Sequence, residues 1–329
     1  MKSEPYFLAP FAVGEVQSLL DAASQFKLPN IKQRETRSQQ SGVAVVDIAG
    51  PLSRRATWMT ELLGLATYED LTRQVEYATS DASVSVIVLA IDSPGGLASG
   101  CLQCAQSIAN AAKQKPVVAV IDGIGASAAY FLASGATTII AAPDSWTGSI
   151  GSVFELKSFA ELERRVGIQT EVIVTGSMKA AGHPSQPITE SVKQYFGDLV
   201  GKLGQHFVDH VAKYRRLKPE QMREIEAAKI YSADDAESVG LIDGVGFLSD
   251  VLKAIDNKPT SGSDINAVLY STLMRIDDHR QQLNARQHAT SDASEAFWEE
   301  VDEAQRQSDC TRAQAIAIVQ QRQQVIAVN

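Results

Sequence analysis

Cysteine is scarce in this chain: three residues in 329, at positions 101, 104 and 310. An odd, sparse set excludes a disulfide framework and fits a reducing compartment. Cys101 and Cys104 form a CxxC inside "LASGCLQCAQSIANAAKQK", but no second pair completes a zinc site, so they read as small helix-packing residues. Basic residues are also in deficit, 30 Lys and Arg against 39 Asp and Glu, for a net charge of −9. That balance argues against a general nucleic-acid-binding face. Long apolar runs are missing as well. No window approaches 18 apolar residues without charge, so no membrane span is expected. In "MKSEPYFLAPFAVGEVQSLL", Glu4, Pro5, Pro10 and Glu15 interrupt what would have to be the apolar core of a signal peptide. A soluble intracellular protein is expected. Histidine is limited to His183, His206, His210, His279 and His288, none of them between Ser127 and Lys179. His206 and His210 are an i, i+4 pair without HExxH or a third ligand, and read as a solvated helix face rather than a metal site.

What is present is a regular alternation of apolar runs and amphipathic segments. "VAVVDIAG", "VSVIVLAI", "PVVAVI", "TTIIAAP" and "QTEVIVTG" read as strands, the second as a parallel strand buried on both faces. "YEDLTRQVEYATSD" reads as a helix with Leu71, Val75 and Ala78 on one face, and "SFAELERRVG" as a helix with Gly167 as its C-cap. Residues 189–228 are helical in pattern, and "IYSADDAESVGLIDGVGFLSDVLKAI" closes the region with a strand or turn and a short helix. The order predicts an α/β fold with a parallel β-sheet and βαβ units, plus a helical C-terminal tail. Residues 1–41 form a polar, partly helical lead-in, 42–256 the main domain and 257–264 a polar linker. In the tail, 265–329, helices are expected near 294–307 and 311–325.

Four short segments could carry chemistry. "IDSPGG" ends a buried strand with two glycines, so it is either an ordinary βα turn or a turn that presents bare N–H donors to an oxyanion. In "DGIGASAAYFLASG", Ser127 stands among small residues where a strand meets a helix. It is either an N-cap or a nucleophile, and in the second case the Ala128 N–H opens the helix toward a developing oxyanion. A nucleophile needs a base. Lys179, in "VIVTGSMKAAGHP", sits in a small-residue loop without a neighbouring acid. It is either an exposed loop lysine or a desolvated general base, with His183 as its rival. Ser149, between glycines in "TGSIGS", is either a turn residue or a hydroxyl that holds the lysine in line. Residues near Tyr130 and Leu97 are candidates for pocket walls.

"IDSPGG", "GASAAYFLA", "TGSIG" and "GSMKAAGHP", in that order, resemble the signal-peptide-peptidase-A-like serine peptidases of ClpP/crotonase fold. The likeness runs from about Val43 to Ile255. With "AAGHP", the long helical segment after it and "IYSADDAESVGLIDGV", it looks most like the phage prohead protease branch of the minor capsid protein C type. The resemblance implies a Ser–Lys dyad, with Ser127 as nucleophile, Lys179 as base and Ser149 positioning the lysine. Gly95, Gly96 and the Ala128 N–H would form the oxyanion hole. It also implies a homo-oligomer in which the dyad can be shared across subunits, no cofactor and no metal. The partners would be scaffold, portal or capsid proteins, met in the host cytoplasm or the prohead interior. The tail lies outside the likeness and could dock on a shell or portal. Three other readings stay open: a cellular signal-peptide-peptidase-A-like peptidase without a membrane anchor, a crotonase-like acyl-CoA enzyme, for which no catalytic acid or CoA-binding face is apparent, and a non-catalytic assembly protein.

Overall fold

The structure is a computed structural model that describes residues 6–8, 37–39, 42–56, 60, 65–256 and 303. By compactness the chain divides into Met1–Leu273 and Met274–Asn329. All the named strands and helices belong to the first unit. The predicted linker and the two tail helices lie outside the described residues, apart from position 303.

Four apolar runs make the centre. Strands β3 (Val43–Ala49), β4 (Val86–Ser93), β6 (Val117–Ala126) and β7 (Thr138–Ala141) lie in parallel, in the order β7-β6-β4-β3. Their sequence is continuously apolar because both faces are covered. Val46, Ile48, Ile87, Leu89, Ile91, Ala119 and Ile121 face one cluster, with helices α1 (Tyr68–Ser80), α2 (Cys101–Ala111) and α3 (Ala128–Ala133). Val43, Val45, Val86, Val88, Val118, Val120 and Ile140 face the other, closed by Val251 and Ile255 of helix α8 (Leu248–Asp256). Leu71, Val75 and Ala78 form the buried stripe of α1, as their spacing predicts. Thr67 caps that helix by accepting the Asp70 N–H at 3.2 Å. Cys101 and Cys104 are fully buried packing residues of α2. Burial pushes both thiols up, Cys104 to about 12, so neither is a ready nucleophile.

Strand β6 has two successive partners on one edge. Val118–Ile121 pair with β7, and Ile124–Ala126 pair in parallel with β8 (Trp146–Gly148). The hand-over needs the irregularity at Asp122–Gly123, where the register against β4 shifts. Gly123 has φ +115°, and a Cβ there would lie 2.7 Å from the Asp92 Oδ1 that accepts the Ile124 N–H. Past β8 the chain runs through α4 (Ala160–Arg165), α5 (Glu190–Arg215) and α6 (Pro219–Ile225). The predicted helical region at 189–228 is thus two helices, separated where Arg216 turns left-handed ahead of Pro219. The chain then returns: β9 (Ile230–Ser232) pairs antiparallel with β8, α7 (Ala233–Ser238) follows, and β10 (Gly244–Val245) extends the sheet in parallel beyond β7. Among the described residues, no helix is long and apolar enough to cross a membrane.

Two expectations are corrected and one is extended. "QTEVIVTG" is not a strand: residues 169–176 carry no regular structure, and Ile173 is 90% exposed. Its β-branched composition favours a strand only where a partner strand and a covering layer exist, and neither lies beside it among the described residues. Of the partly helical lead-in, the structure describes residues 6–8 and 37–39. These form strands β1 (Tyr6–Leu8) and β2 (Arg37–Gln39), the second pairing antiparallel with β3. And His210 is not on a solvated face. His206 is exposed, but His210 is buried and stacks on Phe131 of α3, with ring centroids 3.9 Å apart.

Burial, and then the Lys213 ammonium, pull the His210 imidazole down to about 4, against an opposing contact with the Phe131 backbone. An unfolded chain takes up this proton near pH 6.5, so below that pH the unfolded state binds more protons than the folded one. Stability is therefore expected to fall as pH drops from about 6.5 toward 4. Denaturant midpoints measured across that range check this, and His210→Gln should flatten the slope.

Candidate active site

Ser127 ends β6 and opens α3. Its backbone is at φ +53°, ψ −123°, a region that costs a non-glycine residue about 1–3 kcal/mol. A cap would offset that strain, but the Ser127 side chain makes no capping bond. Its Oγ is buried and has no hydrogen-bond partner among the described residues. The cap alternative for Ser127 therefore fails on geometry. Its own backbone is firmly held: the N–H donates to Gly148 O at 2.8 Å and the C=O accepts from Phe131 N–H at 2.9 Å. Small neighbours allow the sharp approach. Ala128 and Ala129 are fully buried, and a Cβ at Gly125 would meet the Ile121 side chain at 2.7 Å.

The parallel pairing of β6 with β8 matches Ala126 to Gly148, so Ser127 and Ser149 are the next residues out of adjacent strands. Ser149 also has a positive φ, +52°, is buried, and donates its N–H to Lys229 O at 2.7 Å. Two serines thus leave one end of the sheet from adjacent strands, placed there by strand register.

The glycine turn becomes the short strand β5 (Gly95–Leu97), which packs on α3. Two backbone bonds hold one edge of it, Leu52 N–H to Gly95 O at 2.8 Å and Leu97 N–H to Leu52 O at 2.9 Å. Ser93 Oγ donates to Gly50 O at 2.6 Å and accepts the Gly95 N–H at 3.2 Å. The Gly95 amide is therefore already engaged. Because N–H and C=O alternate sides along a strand, the peptide groups of Gly96 face the opposite edge. Ser93, fully buried, is the functional residue that pattern reasoning passed over. It lies inside "IDSPGG", but only the coordinates show that its hydroxyl braces the turn.

A Cβ at Gly96 would lie 2.0 Å from Leu52 O and 2.6 Å from Leu52 N, all backbone. Gly96→Ala is expected to displace β5 and destabilise by about 3 kcal/mol or more, read as a lower thermal midpoint. Gly201→Ala, with open space around it on α5, should instead gain about 0.5–1 kcal/mol.

Among the described residues no hydrogen bond brings Lys179 to Ser127. Lys179 sits in the turn after the unpaired 169–176 segment, with its N–H on Gly176 O at 3.1 Å. Its side chain is exposed, and no ion pair holds it among the described residues. His183 is exposed too, its Nδ1 accepting the Ser185 N–H at 3.2 Å. Tyr130 is not a pocket wall: it is fully buried and its hydroxyl donates to Leu241 O at 2.5 Å.

Residues 109–260 match the sequence profile of peptidase family S49. The chain carries a peptidase family S49 domain. Its parallel-dominated sheet and βαβ units are those of the ClpP/crotonase-like fold of that family. The matched span includes Ser127, Ser149 and Lys179 and begins after Gly95 and Gly96. The capsid assembly protease C of Escherichia phage lambda is 30% identical over 212 residues, 64% of this chain and 48% of that one. The head-tail preconnector protein GP5 of Enterobacteria phage P21 is 29% identical over 215 residues, 65% of this chain and 43% of that one. The chloroplastic serine protease SPPA of Arabidopsis thaliana is 28% identical over 208 residues, 63% and 31% of the two chains. The chain thus spans half or less of the length of these relatives.

Proposed function

We propose that this protein is a serine endopeptidase that works through a Ser127–Lys179 dyad. The observation that carries the proposal is the Ser127 hydroxyl, held in a strained turn without a capping bond or any other partner among the described residues, within an S49 domain. Neutral Lys179 takes the Ser127 proton as Oγ attacks a peptide carbonyl, then gives it to the leaving amine, and water releases the acyl-enzyme. The Gly96 and Ala128 N–H groups hold the oxyanion. The engaged Gly95 amide makes Gly96 the stronger of the two glycine donors. Ser149, beside Ser127, steadies the lysine.

Lys179 reaches Ser127 from a second copy of the chain. Its own segment is exposed, and the apolar side chains of Phe159, Leu162, Val166, Ile168 and Ile173 around it are uncovered, which suits burial in a homo-oligomer. The substrates are scaffold, portal or capsid proteins met during prohead maturation. Support for that class comes from relatives named as a capsid assembly protease and a head-tail preconnector protein.

The test is intact mass over time for wild type, Ser127→Ala and Lys179→Ala, alone, mixed in pairs, and with candidate scaffold or portal protein. Defined fragments from wild type, none from either variant, and recovery in the mixture of the two variants are expected. Cleavage that survives in Lys179→Ala moves the base to His183. No cleavage by assembled wild type returns the protein to a non-catalytic assembly role.

A further inference from the structure

We propose that the segment Tyr6–Leu8 is a built-in plug that occupies the peptide groove of this peptidase in the register of a substrate; this rests on the Ser127 reading above. Among the described residues, β1 and β5 form a two-stranded sheet of their own. They run antiparallel, with Tyr6 opposite Leu97, Phe7 opposite Gly96 and Leu8 opposite Gly95. One edge of β5 is already bonded to Leu52 through Gly95 O and Leu97 N–H. The edge that β1 covers is therefore the other one, to which Gly96 turns its N–H and C=O.

That is the amide assigned to the oxyanion. Pairing opposite Gly96 puts the Phe7 carbonyl where the carbonyl of a substrate peptide has to sit. It also sends the chain onward past Gly95, toward the ends of β4 and β6, where Ser93 pairs with Gly125 two residues before Ser127. A peptide laid along β5 needs the same backbone groups, and two strands cannot hold one edge. The second observation is independent of the pairing. Ser127 is 1% exposed and its Oγ has less than 1 Å² of accessible surface, so in this state no outside peptide reaches the nucleophile. The chain carries its own competitor, at an effective concentration that no free peptide matches until β1 is displaced.

Phe7→Pro in the full chain tests this, because proline has no N–H to give Gly96 O and fixes φ away from the strand value. Two readouts are taken together: Ser127-dependent cleavage of an unstructured peptide, and hydrogen exchange at the Gly96 amide. The wild type is expected to protect Gly96 and to cleave at an initial rate about tenfold below Phe7→Pro, where protection is lost. A synthetic peptide SEPYFLAP, blocked at both ends, should then inhibit Phe7→Pro competitively. An unprotected Gly96 amide in wild type, or equal initial rates in the two proteins, overturns the plug while leaving the peptidase in place. A protected Gly96 with no Ser127-dependent cleavage in either protein overturns the peptidase and the plug's inhibitory role with it, so the two failures are told apart.

Discussion

Ser127→Ala is expected to lower peptide cleavage by about 10⁴-fold or more while leaving the protein at least as stable as the wild type. The two halves of that result arise from one geometry. In the proposed mechanism the hydroxyl is the bond-forming atom, and no neighbouring group can replace it. It is a buried polar atom with no partner among the described residues, which is a liability of about 1–3 kcal/mol. Alanine removes the liability without changing the backbone problem, since both residues find φ +53° equally uncomfortable. Cleavage assays paired with thermal denaturation check this. An ordinary helix cap would give the reverse pattern, with stability falling by about 1 kcal/mol and no catalytic effect.

Arg215→Ala is expected to destabilise by about 2–4 kcal/mol, a drop of about 5–10 °C in thermal midpoint. Arg215 closes α5 with a two-pronged bond to Asp243, Nη1 to Oδ2 at 2.9 Å and Nη2 to Oδ1 at 2.7 Å. Its Nε reaches Gly240 O at 3.2 Å, and Asp243 Oδ2 also accepts the Ile139 N–H of β7 at 2.8 Å. One guanidinium thus ties α5 to the sheet. The arginine side chain is 8% exposed, and its loss leaves a cavity and an unpaired carboxylate. The Asp243 side chain is 37% exposed, so water recovers part of the loss and the effect stays at the lower end for a buried pair. Arg215→Lys should recover only part of the stability, because an ammonium cannot make the fork.

The central sheet was readable because its strands are covered twice. Val86–Ile91 and Val117–Ile121 have no polar alternation to hide, and their spacing around α2 leaves little besides a parallel βαβ unit. The residues at the sheet's end, Ser127, Ser149 and the glycine turn, were equally visible, since small residues and glycine stand where a backbone must turn sharply. What escaped is what depends on partners far along the chain. Nothing local marks Ser93 as the brace of β5, or Tyr6–Leu8 as its neighbour 87 or more positions away. Residues 169–176 have strand composition but no strand to join, so propensity pointed the wrong way. His210 looked polar at its spacing because the ring that covers it, Phe131, belongs to another helix.

The return of β9 to β8 has a consequence for timing. Ser149 is held by Lys229 O, and Thr147 of β8 pairs with Tyr231, so the site's second hydroxyl stays unanchored until residue 232 has left the ribosome. At about 5–20 residues per second, the stretch from β8 to β9 takes roughly 4–17 s to synthesise. During that interval β3, β4, β6 and β7 can already be assembled through local crossovers. The nascent chain therefore has a scaffold before it has an assembled site, and the proposed cleavage activity would be withheld from the translating cell for as long as that interval lasts.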